Sequence, residues 1–241
     1  MTLGAHEFWE YLRTSPLLWL AVTLLAYQAA YRIYRGTGRS PLANPVLISV
    51  TLIISVLLVT RTSYQTYFAS AQIVHFLIGP ATVAMAIPLY AQTERLKTMI
   101  FPLTITLFVG SATAIISAVA IGWLFGASTQ TLLSLAPKST TMPIAMGVTE
   151  KIGGLPSLTS LTVTLTGVSG AIMARGLLNL IRIDDPAVRG FAVGITAHAI
   201  GTGYALQVSE IAGAFSALGM GLNGLATTLL LPLMIQILPR H

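Results

Sequence analysis

The sequence predicts an all-α integral membrane protein. The expected form is a polytopic helical bundle of about seven to eight hydrophobic segments, several broken or re-entrant, in a single transmembrane domain over residues 1–241. Three observations predict it. First, 54% of the residues are hydrophobic and only 8% are charged, whereas a soluble domain is about a quarter charged. Thirteen Lys and Arg plus seven Asp and Glu cannot clothe a water-facing surface of this size. Second, the apolar stretches are long, rich in Leu, Ile, Ala, Val, Thr and Gly, and lack the short alternation of barrel strands. Third, some are interrupted by Gly, Pro and polar residues, most plainly in "LSLAPKSTTMPIAMGVTEKIGG" from Leu133.

The elements follow in order. A first span is expected over residues 16–34, closed by Arg32, Arg35 and Arg39. Its preceding segment carries Glu7 and Glu10 without a basic start or a following cleavage site, so it is expected to be retained. The three arginines argue that the first connection is cytoplasmic. After the turn-rich "RGTGRSPLANP", a second span is expected over residues 45–60, then a Tyr-rich interfacial stretch. "FASAQIVHFLIGPATVAMAIPLYAQ" is long enough for one crossing but is broken at Gly79-Pro80 and at Pro88. "TERLK", residues 93–97, reads as a charged connection before a clean span over residues 99–125. The stretch from Leu133 is the second interrupted segment. A Thr-, Ser- and Gly-rich span over 158–181 and the link "RIDDPAVRG" follow. "FAVGITAHAIGTGYALQVSE" is a third interrupted segment, broken at Gly201 and Gly203, and the last span covers 211–238.

"IGPATVAMAIPL" from Ile78 echoes "LAPKSTTMPIAM" from Leu135 in its proline, methionine and isoleucine. Paired Gly/Pro-broken segments are the sequence pointer to a transporter site at a repeat interface. If each broken segment is a re-entrant hairpin, the repeats are inverted; if each crosses once, they are parallel.

Irregular backbone inside a bilayer is tolerated only where protein buries it or water fills a cavity beside it. The break with hinges Pro137 and Pro143 therefore predicts such a cavity. A helix starting there turns its positive end and free N–H groups toward an anion. Lys138 adds a full charge, and Ser139, Thr140 and Thr141 add hydroxyls, a set that fits a small carboxylate carrying a hydroxyl or keto group. The plainer reading has Lys138 snorkelling to a headgroup and the hydroxyls bonding back to their own helix.

His198 beside the Gly201–Gly203 break reads either as a hydrogen-bonded structural residue or as a proton carrier. His75, four residues before Gly79, has a weaker claim of the same kind. Glu210 either caps the last helix or couples an ion. Asn223 lies in a small-residue face with glycines 213, 219, 221 and 224, as helix glue or as a substrate ligand. Glu150 and Lys151 read as a solvated pair at a helix end.

The chain has no cysteine, so thiol chemistry is excluded. It has no Walker loop, no hydrolase constellation and no metal cluster, since His6, His75, His198 and His241 lie far apart. No enzyme activity, metal or cofactor is expected. The basic residues are scattered among connections, which argues against nucleic acid as a partner.

"GPATVAMAIPLY", "LAPKSTTMPIAMGVTEKIGG", "LTVTLTGVSGA", "AHAIGTGYALQ" and "EIAGAFSALGMGLNGLATTLLLPL" together resemble the LrgB/CidB family of bacterial membrane proteins, over residues 45–232. Pro137, Lys138, Ser139, Thr141, Pro143 and Ile144 match the family's PKS stretch. His198, Gly201 and Thr202 match its His-Gly-Ile-Gly-Thr pattern, with Ala199 in place of a glycine. The resemblance implies a multi-pass protein of the bacterial cytoplasmic (inner) membrane with one of two functions. One is a holin/antiholin-like role in controlling murein hydrolase activity and lysis, with a small LrgA/CidA-type membrane partner. The other is transport of small monocarboxylates, since the plastid glycolate/glycerate translocator resembles a fusion of the two protein types. Assembly as a homo-oligomer is compatible with both.

Overall fold

The computed structural model describes residues 15–38, 40, 43–84 and 86–235. Every regular element among them is helical. His6, Glu7, Glu10, Arg39, His241 and residues 236–238 fall outside the described residues. Three helices, Thr93–Leu124, Pro156–Leu180 and Glu210–Ile235, are long and apolar enough to cross a membrane, and Pro45–Val59 is apolar but shorter. The span expected from residue 16 is a helix of 21 residues. It is not among the three because Tyr27, Gln28, Tyr31, Arg32, Tyr34 and Arg35 make its second half polar.

The chain divides into two compact units, Met1–Ala84 and Met85–His241. The first holds α1 (Pro16–Gly36) and α2 (Pro45–Val59), the latter begun by Asn44. The Asn44 carboxamide accepts from the amides of Val46 and Leu47, and Pro45 begins the helix where no N–H is needed. α3 (Tyr64–Ser70) is capped by Ser63. Its Tyr67 meets buried Trp19 edge-on at 5.7 Å and bonds Thr23 at 3.0 Å. α4 (Gln72–Ala84) carries His75 and corrects one expectation, because it runs unbroken through Gly79 and Pro80. A proline forfeits one helical bond and crowds one carbonyl, a cost that kinks a helix without always ending it.

In the second unit α5 (Ala86–Tyr90) contains Pro88. It precedes α6 (Thr93–Leu124), whose first turn is the expected connection "TERLK". Glu94 suits the positive helix start and pairs with Lys97 one turn on, which makes this charged stretch helical rather than a loop.

α7 (Thr129–Leu135) follows, begun by Ser128, whose hydroxyl accepts from the Thr131 amide. Pro137 ends the α-helix because it has no N–H to give. Residues 136–140 continue as tight turns, with Lys138 donating to the Leu135 carbonyl and Thr140 to the Pro137 carbonyl. α8 (Met142–Lys151) starts after Thr141, with Pro143 in its first turn. The expected break at Pro137–Pro143 is therefore present, and the chain doubles back there. Ala136 before the break and Val148 after it lie in one buried cluster with Ile115 and Leu231. At the root, the Ser134 carbonyl accepts from Thr159, which also shares a hydrogen bond with Thr149, and the Ser134 hydroxyl takes the Leu155 amide. Residues 129–151 thus form a helical hairpin with its tip at 139–141.

α9 (Pro156–Leu180) leads to α10 (Pro186–Val208), which Asp185 caps through the amides of Ala187 and Val188. α10 is two helices, because His198 has φ 41° and ψ −134°. A Cβ on Gly201 would lie 2.8 Å from the Val193 side chain. Residues eight apart in a straight helix are about 12 Å apart, so the chain folds back here as well. Residues 186–197 form one leg, about 18 Å long, and 199–208 the other, about 15 Å. This corrects the break expected at Gly201 and Gly203. The reversal sits at His198, and Gly201 is where the second leg comes close to the first.

The two roots lie at opposite ends of α6 and α9. Arg95 near the start of α6 pairs with Asp185, and Arg189 bonds Asn179 near the end of α9. The first hairpin's root instead meets the start of α9, through Ser134, Leu155 and Thr159. α11 (Glu210–Ile235) closes the unit. Ser209 between α10 and α11 caps it by accepting from the Ala212 amide. A Cβ on Gly190 would stand 2.1 Å from the Ala212 carbonyl oxygen, and one on Gly194 2.1 Å from that of Ser216. The first leg of α10 therefore lies backbone to backbone on α11. The core around this contact is Leu103, Leu107, Phe191, Ile195, Phe215 and Ala226.

Gly194→Ala is expected to lower stability by about 1–3 kcal/mol or more through overpacking. Gly203→Ala, with nothing within 4 Å of the new methyl, should be neutral or stabilising by up to about 1 kcal/mol. Thermal unfolding in detergent separates the two. Slight burial raises the Asp185 carboxyl, but the Ala187 and Val188 amides and then Arg95 outweigh it and hold the group below the usual carboxylate range. A depressed folded pKa stabilises above the unfolded value of about 3.9 and is lost as pH falls through the folded one. Asp185→Asn should therefore lower the midpoint at pH 7, and the gap to the parent should shrink as the pH is taken below about 4.

Candidate functional site

The site is assembled where the two hairpin tips meet. Each tip leaves carbonyls at the end of a first leg without the amide one turn ahead, and those carbonyls need other donors. Asn223, buried on α11, supplies them: its Nδ2 donates to the Ser139 carbonyl at 2.9 Å and to the Ile195 carbonyl at 3.0 Å. Its Oδ1 accepts from buried Ser111 of α6 at 2.6 Å. One side chain thus joins both tips to α6 and α11.

The second tip has two further attachments. The His198 ring is buried, with Nε2 2.9 Å from the Val163 carbonyl of α9. The Thr202 hydroxyl lies 2.8 Å from the His198 carbonyl and 2.9 Å from the Ser216 hydroxyl of α11. A non-glycine residue at φ 41° costs about 1–3 kcal/mol and persists only where the surroundings enforce it. The Val163 contact and the tight approach of Gly167 to the same ring do that here.

Beside the tips lies a cavity of about 640 Å³. Gly110, Thr113, Ala114 and Ser117 of α6 form one wall, Leu165, Thr166, Ser169 and Gly170 of α9 another, with Lys138, Ser139 and Thr196 from the tips. The half-buried Lys138 ammonium is 3.3 Å from the Ser139 hydroxyl. None of the ion pairs among the described residues involves Lys138. The lining therefore holds one cation, six hydroxyl side chains and no carboxylate, a set that attracts a small anion with further polar groups.

Of the residues singled out in the sequence, Lys138 and Ser139 line this cavity. Thr140 is buried behind the tip, its hydroxyl without a partner among the described residues and close to Gly224. Thr141 occupies the N-cap of α8 without a side-chain capping bond. Asn223 corrects an expectation: both its polar groups are engaged by the protein and it does not line the cavity, so it positions the tips. His198 stands at a tip and Glu210 is exposed in the first turn of α11, and neither lines the cavity. Gly79 and Pro80 belong to the other unit. Among the described residues no group of three or more His, Asp and Glu could hold a metal.

Sequence reasoning missed Ser111, Thr113, Ser117, Thr166, Ser169 and Thr196. The signal was a stripe of small and hydroxyl residues at positions 110, 113, 114 and 117, the i, i+3, i+4, i+7 face of an otherwise apolar helix.

Asn223→Ala strands two buried carbonyls, at about 1–3 kcal/mol each. Ser111→Ala strands one buried acceptor, the Asn223 Oδ1, and should cost about 1–3 kcal/mol, less than the loss of both carbonyl bonds. The ordering is read from unfolding midpoints of the purified variants.

The LrgB-like family model matches residues 23–237. Two proteins of Bacillus subtilis (strain 168), uncharacterized proteins YwbG and YxaC, are each 33% identical to this chain, covering 90% of it and 96% and 94% of their own lengths. A protein of Bacillus cereus (strain B4264) named antiholin-like protein LrgB is 27% identical over 91% of this chain and 95% of its own. No solved structure matches. A family match over nearly the whole described fold, two relatives at one-third identity, and the break motif that carries the sequence resemblance all agree: the chain belongs to the LrgB-like family.

Proposed function

We propose that this chain is a secondary carrier of small monocarboxylates of the glycolate, glycerate and pyruvate class, in the cytoplasmic membrane. The observation that carries the proposal is the Lys138 ammonium in a hydroxyl-lined cavity between two hairpin tips. The hairpins are read as re-entrant. Their helical legs of about 10–18 Å are well short of the roughly 30 Å hydrocarbon core, and their roots sit at opposite ends of α6 and α9. On this reading the two hairpins are inverted repeats with the site between them at mid-membrane, the plan on which alternating access operates. It pairs the Pro137 break with the His198 reversal. The second leg of each hairpin begins at its tip, so two helix starts add positive potential there.

A second reading comes from the names of relatives, several of which are called antiholin-like protein LrgB. On that reading the chain is a holin/antiholin-like modulator of murein hydrolase activity and lysis. The names favour it, and the cavity favours the carrier.

The two readings part in proteoliposomes, with and without a co-reconstituted LrgA/CidA-type protein. A carrier takes up labelled glycolate, glycerate or pyruvate with saturation and mutual competition, and Lys138→Ala cuts uptake about 10- to 100-fold, the loss of one charge-assisted bond. Unsaturable leakage of unrelated solutes favours the holin-like reading. Uptake at the level of empty vesicles under both conditions removes the carrier.

A further inference from the structure

The two hairpins share a common register at their starts, tips and ends. Their caps Ser128 and Asp185, their tips Thr141 and His198, and their last residues Lys151 and Val208 are each 57 positions apart. The helices that follow, α9 and α11, start 54 positions apart, because four residues separate α8 from α9 and only Ser209 separates α10 from α11. In this register "GVSG", residues 167–170, matches "GLNG", residues 221–224, and Ser169 stands where the other half has Asn223.

The packing obeys the same register. A Cβ on Gly224 would meet Thr140 and Ile144 of the first hairpin, the former at 3.5 Å. A Cβ on Gly170 would meet Ala197 of the second at 2.7 Å, and Ala197 is 57 positions after Thr140. Each long helix therefore presses its glycine on the tip of the opposite hairpin.

The Asn223 clamp has a counterpart on these terms. Asn223 bridges Ser139 and Ile195. Fifty-seven positions away, their equivalents are Thr196 and Lys138. Both line the cavity, together with Ser169 and Gly170. On one side a carboxamide fills the space between two tips. On the other, a serine hydroxymethyl, with two fewer heavy atoms, leaves that space open beside an ammonium group.

We infer that the cavity is the repeat-related counterpart of the Asn223 clamp, held open by Ser169, and that a bound acid joins the tips there with the opposite polarity, accepting from the Lys138 ammonium of one and the Thr196 hydroxyl of the other where Asn223 donates to carbonyls. This rests on the carboxylate reading of the cavity. A carboxylate has the planar three-heavy-atom shape of a carboxamide but only accepts, so it needs side-chain donors, above all the Lys138 ammonium, where the Asn223 amide uses main-chain carbonyls. Ser169 is accordingly the residue that decides whether the site is a binding site or a closed joint.

The chain has no cysteine, so a single Thr113→Cys on the α6 wall reports access to the cavity by its rate of thiol labelling in the full chain, with glycolate as probe. In the Thr113→Cys background, glycolate at ten times its half-protecting concentration is expected to slow labelling about tenfold. Ser169→Asn should slow labelling at least as much with no glycolate present, and glycolate should then add nothing. Ser169→Ala should label as fast as the background and keep its protection. Labelling of Ser169→Asn at the parent rate with protection intact overturns the inference, as does a lack of glycolate protection in the parent. Should Ser169→Asn fail to fold, the reciprocal Asn223→Ser decides. A Ser111→Cys reporter, buried beside the clamp, should become reactive in it, and continued inertness overturns the inference. Flux is measured separately. Protection without uptake leaves this inference standing and removes the carrier, whereas uptake indifferent to Ser169→Asn does the reverse.

Discussion

The architecture of the second unit depends on one side-chain amide. Two helical hairpins must end inside the protein, and each ends on carbonyls that no helix can satisfy. Asn223 answers both deficits from a single nitrogen and hands its oxygen to Ser111. In a medium without water each stranded carbonyl is costly, so the positions of both tips relative to α6 and α11 are fixed by this group. Lys138 and Thr196 are brought to one cavity as a result.

The hairpins are fastened by different means. The first is held at its root by hydroxyls, with Ser134, Thr149 and Thr159 exchanging bonds across two legs and a neighbouring helix. The second is held along its first leg by bare backbone contact with α11 and at its tip by the His198 ring. Small residues serve both schemes, because in lipid the gain from association comes from close packing and interhelical bonds rather than from hiding grease from water. This accounts for the Thr, Ser and Gly content of α9 and α11, which the composition alone leaves unexplained.

Much of the fold was legible in the sequence, and the misses have physical causes. The break at 136–141 was readable because Pro137 cannot donate and Pro143 starts a helix well. The long apolar runs of α6, α9 and α11 were equally plain. The reversal at His198 was not, because a positive φ normally advertises itself as glycine, and here a histidine is forced into it by Val163 and Gly167. Gly79-Pro80 looked like a break and is not, since a helix can forgo one bond and continue. Of the site, Lys138 and Ser139 were found because a charge in an apolar run is conspicuous. The hydroxyls of α6 and α9 were overlooked because singly they bond back to their own helix, and only their common face gives them away.

The contact of Gly190 and Gly194 with the Ala212 and Ser216 carbonyls has a mechanical consequence. With no side chains to cushion the seam, a slip by one residue would drive a methyl into a carbonyl, so the leading leg of the second hairpin and α11 can travel only as a welded block. Whatever rearrangement the protein undergoes is thereby left to the partner half, where the joint between tips is made of side chains and solvent-sized space and can be parted without tearing main chain from main chain.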